Sequence, residues 1–288
     1  MCRKLLVIAL MAAALLSVSC DVVGLPVKRV ETGPTITEDI KVPLPGGGGV
    51  VNLEITVGFG ELSIKGGAED ALVKGTATYN VKEFKPVIII SGNDVRLRQG
   101  ESKFEVTIPD LDKGVKNKWD LELSTVPMSL TINAGAATAK IELGGLSLEG
   151  LNVSQGASDF DLSFSDANKA EMNALRFNAG AANAKLTSLA NANAQEIVFK
   201  GGVGNYTLEF SGALQRNLRV ILEAGVGQVV VIVPEGVAAE ATIEGGLTNV
   251  DVRDAWQRSG NKYILAGEGP AITFEFKMGA GNLSLRNR

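Results

Sequence analysis

The sequence predicts an all-β chain wound as a solenoid, and three observations predict it. A glycine-centred unit recurs at a near-constant period, apolar and polar residues alternate on both sides of each unit, and helical patterning is scarce.

The repeat comes first. Aligned on one glycine, the chain reads VGFGELSI at 57–64, AGAATAKI at 134–141, QGASDFDL at 155–162 and AGAANAKL at 179–186. It continues with GGVGNYTL at 201–208, AGVGQVVV at 224–231, GGLTNVDV at 245–252 and MGAGNLSL at 278–285. The anchoring residues are Gly58, Gly135, Gly156, Gly180, Gly202, Gly225, Gly246 and Gly279. The five steps from Gly135 to Gly246 are 21, 24, 22, 23 and 21 residues. The last step, 33 residues, makes room for the insertion DAWQRSGNKYILAGEGP. The first step, 77 residues, holds a degenerate copy, SGNDVRLR at 91–98, and a polar excursion, LDKGVKNKWD at 111–120.

Alternation gives the elements. Leu130 and Ile132 precede one corner and Ala139, Ile141 and Leu143 follow it; Ile197 and Phe199 precede the next but two, and Tyr206, Leu208 and Phe210 follow. That pattern is strand, bend, strand. A two-residue hairpin turn prefers Asn-Gly or Gly-Asn. Here a four-residue corner returns about every 22 residues instead, which is one coil of a β-helix whose strands pair with their counterparts in the next coil. About ten such coils, ~4.8 Å apart, would make a rod of roughly 50 Å. A β-sandwich with Greek-key connections is the alternative that alternation alone allows.

At each corner, glycine supplies either positive φ or close backbone approach. The polar residue three places on is Thr138, Asp159, Asn183, Asn205, Gln228, Asn249 and Asn282 in successive copies, which predicts a partial Asn/Gln ladder. The best helical candidate, Asp166 to Ala174, lacks an apolar stripe and reads as a loop. With 5% aromatic residues and 34 glycines, the coil should be thin and filled by Val, Ile, Leu and Ala.

Four segments follow. Residues 1–19, MCRKLLVIALMAAALLSVS, have a basic start at Arg3 and Lys4 and a twelve-residue apolar run, Leu5 to Leu16, too short to span a bilayer and suited to an export signal. The stretch before Cys20 resembles the lipobox of bacterial lipoproteins, in which the cysteine is acylated, although Ser17 stands where leucine is usual. Ordinary signal cleavage is the alternative. Cys2 lies in the leader, so Cys20 would be the sole mature thiol. Residues 20–50, with four of the nine prolines, read as lipid anchor and linker whose later half could pair as a first strand. Residues 51–125 form an N-terminal segment with degenerate repeats, and 126–288 the regular solenoid continuous with it. The charged end, Arg286 to Arg288, would discourage end-to-end growth.

The glycine-strand units, together with valine-proline steps such as STVPMSLTINAG and VIVPEGVAAEATIEGG, resemble the bacterial toast-rack proteins over most of residues 35–288. These comprise DUF4097-type adhesin domains and DUF2154-type relatives, the latter forming the C-terminal domain of cell-wall-active antibiotic response proteins. The segment TITEDIKVPLPGGGGVVNLEITVGFGELSIKGGAEDALVKGTATYN resembles the N-terminal toast-rack segment in particular. The resemblance implies a right-handed, single-stranded β-helix-like fold and no catalytic residues.

Chemistry is thinly represented. No histidine occurs, which removes the commonest general base and metal ligand. The glycine-rich GGVGNYTLEF at 201–210 lacks the Gly-Lys-Ser/Thr of a phosphate loop and precedes a strand, so no nucleotide cofactor is expected. Without its leader the chain has 26 basic and 32 acidic residues, a net of −6, and no basic cluster, which argues against nucleic acid. Asp159 and Asp161 in SDFDLSFSD share a strand face and are the candidate for a polysaccharide-active acid/base pair or a Ca²⁺ ligand set. An ordinary acidic face is the simpler reading, so no metal is assigned. Trp119, Trp256 and Tyr263 lie in the two excursions and are candidate surface contacts for a sugar or a protein, or else packing residues.

The resulting expectation is a non-catalytic, extracytoplasmic β-solenoid, held to the cell membrane by lipid at Cys20 and acting as an adhesion or glycan/protein-interaction scaffold, with cell-wall glycan or an envelope protein as its partner. Its alternatives are an envelope stress component that binds a membrane sensor, and a β-helix enzyme acting on polysaccharides.

Overall fold

The computed structural model describes residues 31–100, 114–157, 159–253, 255–260 and 262–288. The strands are β1 (Ile36–Val42), β2 (Val51–Gly66), β3 (Val73–Tyr79), β4 (Pro86–Ser91), β5 (Asp94–Gln99), β6 (Asn117–Leu123), β7 (Met128–Glu142) and β8 (Leu148–Gln155). They continue as β9 (Asp159–Ser163), β10 (Met172–Thr187), β11 (Ala194–Glu209), β12 (Leu218–Val233), β13 (Val237–Val252), β14 (Gln257–Ser259), β15 (Lys262–Leu265) and β16 (Glu268–Asn287). No helix among the described residues is long and apolar enough to cross a membrane.

The repeat copies are long strands bent at their glycines, so each rung has two arms that enclose the core between them. In β11, Ile197 and Phe199 on the first arm and Tyr206 and Leu208 on the second are buried, while Lys200, Val203 and Asn205 face out. Rungs stack in parallel and in register: Phe177 lies beside Phe199, and Asn183 beside Asn205. Parallel pairing of each arm with its counterpart is what a solenoid requires, and it rules out the sandwich.

Nine parallel rungs stack among the described residues, in the order β5 with β6, β2, β7, β8 with β9, β10, β11, β12, β16 and β13. Two features depart from a simple succession of copies. The copy SGNDVRLR is no corner: Gly92, at φ 60°, and Asn93 form the two-residue turn of the β4–β5 hairpin. The last copy also enters out of turn. Strand β16 pairs with β12 on one side and β13 on the other, so the C-terminal strand is internal and Arg286–Arg288 do not form the edge. The 33-residue step folds as the β14–β15 hairpin, antiparallel on the first arm of β13. At the other end β3 lies antiparallel on β6, and β1, from the later half of the expected linker, antiparallel on β3.

Six of the anchoring glycines, Gly135, Gly156, Gly180, Gly202, Gly225 and Gly279, serve close approach rather than positive φ, whereas at Gly58 a Cβ would meet only the Gln99 side chain at 3.7 Å. A Cβ at Gly180, Gly202, Gly225 or Gly279 would stand 2.5–2.7 Å from the carbonyl oxygen of the equivalent glycine one rung away. The second glycine of a Gly-X-Gly corner serves both needs at Gly227 and Gly281, with φ of 147° and 138° and no room for a Cβ against the next carbonyl, whereas Gly204 serves close approach alone.

The core is more aromatic in its centre than composition suggests. Phe160, Phe177, Phe199 and Tyr206 form a continuous run with ring centroids 5.0–5.3 Å apart, and Phe210, Phe274 and Phe276 form another at 5.1–5.5 Å. Each such pair adds about 0.5–1.5 kcal/mol beyond its burial. Asparagines tie the loops between rungs. The Asn168 amide bonds both the amide and the carbonyl of Leu148, Asn191 reaches from the Phe164 carbonyl to the Ala213 amide, and Asn217 accepts from Ala271. The loop expected over Asp166 to Ala174 is one of these connections as far as Glu171, but Met172 to Ala174 already belong to β10.

Candidate functional site

The repeat organises the surface into columns that run along the stack. At the corner, Asp159, Asn183, Asn205, Gln228, Asn282 and Asn249 lie side by side in successive rungs. Asn183 Nδ2 donates to Asp159 Oδ1 at 3.0 Å, Asn205 to Asn183 at 3.0 Å, and Asn249 to Asn282 at 3.3 Å. The expected Asn/Gln ladder is therefore present, in an order set by the inserted strand. Beside it, Val203 and Val226 stand in register with Ala280 and are 59% and 52% exposed, an apolar ridge between paired glycines.

Outer faces carry charge columns. Lys200, Glu223, Lys277 and Glu244 alternate in sign across four rungs, with Lys200 Nζ 3.1 Å from Glu223. Arg219 bridges Glu196 and Glu275 at 3.2 and 3.0 Å. Glu142 is the most enclosed of the shifted carboxylates. Burial opposes its charge, but donation from Ser163 Oγ and from the Ser165 and Gly144 amides outweighs that cost, and its pKa is lowered.

The sequence-derived candidates fall apart in space. Asp159 and Asp161 do share the outer face of β9, but Asp159 is a ladder acceptor and Asp161 lies in register between Lys140 and Lys185. Flanking cations of that kind make Asp161 part of a surface charge column. No cluster of three or more His, Cys, Asp or Glu suited to a metal occurs among the described residues. Trp119 is wholly buried and is not a surface contact: its Nε1 donates to Asn117 Oδ1 at 2.9 Å, and Asn117 Nδ2 reaches Gln99 Oε1 and the Phe59 carbonyl. Gln99 Oε1 in turn accepts from the Gly58 amide at 3.0 Å. The network thus takes the place of a corner in the split β5–β6 rung. Trp256, 6% exposed, also belongs to the core, which removes it as a surface contact. Tyr263 is partly exposed on β15, with the Arg258 guanidinium 5.9 Å from its ring centroid. Cys20 lies outside the described residues.

One surface feature has no counterpart among those candidates. Strand β4, PVIIIS, presents Val87, Ile88, Ile89 and Ile90 to solvent at 36–47% exposure. Its signal in the sequence is an apolar run without alternation in an otherwise alternating chain.

A parallel, corner-glycine β-solenoid with columns of like residues is the class that fold and surface define. The chain belongs to the toast-rack family: the family model described as the N-terminal domain of toast_rack, DUF2154, matches residues 31–187, more than half of the sequence. That match closes at the end of β10. Among solved structures, a candidate cell adhesion protein from Clostridium sporogenes ATCC 15579 is 22% identical with a TM-score of 0.48, the alignment covering 88% of this chain and 100% of that one. A candidate adhesin from Bacteroides fragilis NCTC 9343 is 12% identical with a TM-score of 0.41, covering 88% and 97%. A candidate lipid binding protein from Parabacteroides distasonis ATCC 8503 is 11% identical with a TM-score of 0.39, covering 90% and 99%. Comparison with curated proteins gave no match.

Proposed function

We propose that this protein is a non-catalytic envelope scaffold, tethered to the cell membrane by lipid at Cys20, whose solenoid corner binds an extended partner, cell-wall glycan in the first place. The observation that supports this reading is the amide ladder from Asp159 to Asn249 running beside the exposed ridge of Val203 and Val226. Evenly spaced hydrogen-bonding groups next to an apolar strip suit a repeating polar chain with apolar ring faces, and solenoids typically bind along such surfaces.

Each part of this reading has its own test. Retention of the protein on isolated cell wall should fall at least tenfold in the doubly substituted Val203→Asp, Val226→Asp chain. Unchanged retention defeats the corner assignment, and recovery of a sensor kinase from intact membranes would favour the stress-component reading instead. Palmitate labelling should vanish in Cys20→Ala; labelling that persists removes the anchor. Turnover of a uronate polysaccharide that is lost on Asp159→Ala with Asp161→Ala would overturn the non-catalytic reading.

A further inference from the structure

Among the described residues β4 pairs only with β5, so there its other side is an edge. The Gly100 amide donates to the Lys85 carbonyl at 2.9 Å. Alternation along the strand then turns the backbone groups of Val87 and Ile89 toward β5 and those of Ile88 and Ile90 outward. Both faces of this edge are apolar, and none of its six residues is charged. The other end strands differ: β1 carries Glu38, Asp39 and Lys41, β14 carries Arg258, and the second arm of β13 carries Asp251. Charged edges are the usual guard against strand addition, and β4 lacks that guard. Hydrocarbon would leave the outward amides and carbonyls unsatisfied, which disfavours burial of this edge in lipid.

We propose that β4 is a homodimerisation edge, pairing antiparallel with β4 of a second copy across a two-fold axis at Ile89. In this register Ile88 faces Ile90 of the second copy and the reverse. All four outward amides of the two strands and four of their six outward carbonyls are then used, those of Pro86 lying beyond the Ile88–Ile90 pairs, while Val87 to Ile90 meet only apolar neighbours or Ser91. Charge favours the antiparallel sense. Lys82 and Lys85 precede the strand, with Glu83 between them and Glu38 3.2 Å from the Lys85 ammonium, and Asp94, bonded to the neutral Asn52 amide, follows it, so the two-fold brings Lys85 of each copy beside Asp94 of the other. A parallel arrangement would set like ends together. An interface that uses the same patch on both copies closes on itself, which limits the assembly to a dimer. The pairing joins two solenoids end to end into one continuous sheet, and the assignment stands apart from the glycan reading and from the anchor.

Directly opposed residues of a non-hydrogen-bonded antiparallel pair bring their Cβ atoms to about 4.5 Å, within reach of a disulfide. The test uses the full chain, expressed with its own leader, in whole cells under mild oxidation and read on non-reducing gels. Ile89→Cys should give a band of dimer mass at least tenfold stronger than Ile88→Cys, whose register partner is residue 90. The unsubstituted chain reports any disulfide through Cys2 or Cys20. Adding Ile90→Asp to Ile89→Cys should remove the dimer band, and equal protease resistance of all variants establishes that each is folded. Equal crosslinking at 88 and 89, no dimer band from folded Ile89→Cys, or a band of another mass would each overturn the proposal, the last by naming a different protein as the occupant.

Discussion

Replacing Gly202 with alanine isolates the cost of the corner. Its Cβ would lie 2.5 Å from the Gly180 carbonyl oxygen and 3.2 Å from that carbonyl carbon, about 0.9 Å inside the 3.4 Å at which ordinary contact begins. Both neighbours are backbone, so no side chain can swing away. The rung itself must move, and it is held on its other side, where the place of a Cβ on Gly225 is 2.6 Å from the Gly202 carbonyl. Overpacking of this kind costs about 1–3 kcal/mol. Stiffening the unfolded chain returns about 0.4–1 kcal/mol. The expected net loss is about 1–2 kcal/mol, or roughly 2–8 °C in melting temperature at ~2–4 °C per kcal/mol. Gly46→Ala is the matched control: nothing lies within 4 Å of its Cβ and its φ is unexceptional, so only the stabilising effect on the unfolded chain remains. Thermal melts and urea midpoints of the two variants measure the difference. If Gly202→Ala and Gly46→Ala melt within a degree of each other, close approach is not what fixes glycine at the corner.

Trp119→Phe should cost about 1–3 kcal/mol in urea unfolding, because Asn117 Oδ1 would be left buried without its donor; an unchanged midpoint would show the network to be incidental. Asn183→Ala, which breaks two bonds of the ladder, should lower the unfolding free energy by about 1 kcal/mol, and Asn249→Ala, which breaks one, by about half that. Equal losses would deny that the ladder acts as a column. Glu142, whose pKa is lowered from 4.5, gives stability that is fully present above the unfolded value and is lost as pH falls through the lower folded one. The gap in melting temperature between the native chain and Glu142→Gln should therefore narrow between pH 7 and pH 3, and a gap of constant size would refute the assignment.

The regular part of the fold was legible because one physical constraint repeats. Gly135, Gly156, Gly180, Gly202 and Gly225 each need to clear a neighbouring carbonyl, so the period could be read from glycine alone, and Asn183 and Asn205 marked the ladder by their fixed distance from it. What the sequence hid was order. The copies at 224–231, 245–252 and 278–285 share one pattern, and a parallel edge accepts any of them, so nothing local says that β16 lies between β12 and β13. One difference did carry information. The corners of β12 and β16 have a second glycine, Gly227 and Gly281, which stack tightly, whereas β13 has Thr248 there and takes the terminal rung, with no strand beyond its second arm. Composition likewise could not separate the two roles of an aromatic residue in an excursion. Trp119, on β6 of the split rung, and Trp256, just ahead of the β14–β15 hairpin, both join the core.

The inserted strand makes the last rungs a closed unit rather than two additive repeats. In a simple solenoid, removing the terminal repeat breaks one interface and leaves the rest in place. Removing β16 breaks two, because β12 and β13 each pair with it and not with each other. It also removes the clasp at the chain end, where the Asn287 side chain and the Arg288 amide both donate to the Val233 carbonyl and the Glu235 amide donates to the Arg288 carbonyl. A chain ending at Leu265 should therefore lose β13 and the β14–β15 hairpin together with β16, leaving β12 as the end of the stack. Hydrogen exchange distinguishes the outcomes: the amides of 237–252 should exchange as an unfolded segment while those of 172–209 keep their protection. Protection of 237–252 in that chain would mean that β13 can dock directly on β12, and that the order of the last two rungs is set by the presence of the hairpin rather than by the fit of their corners.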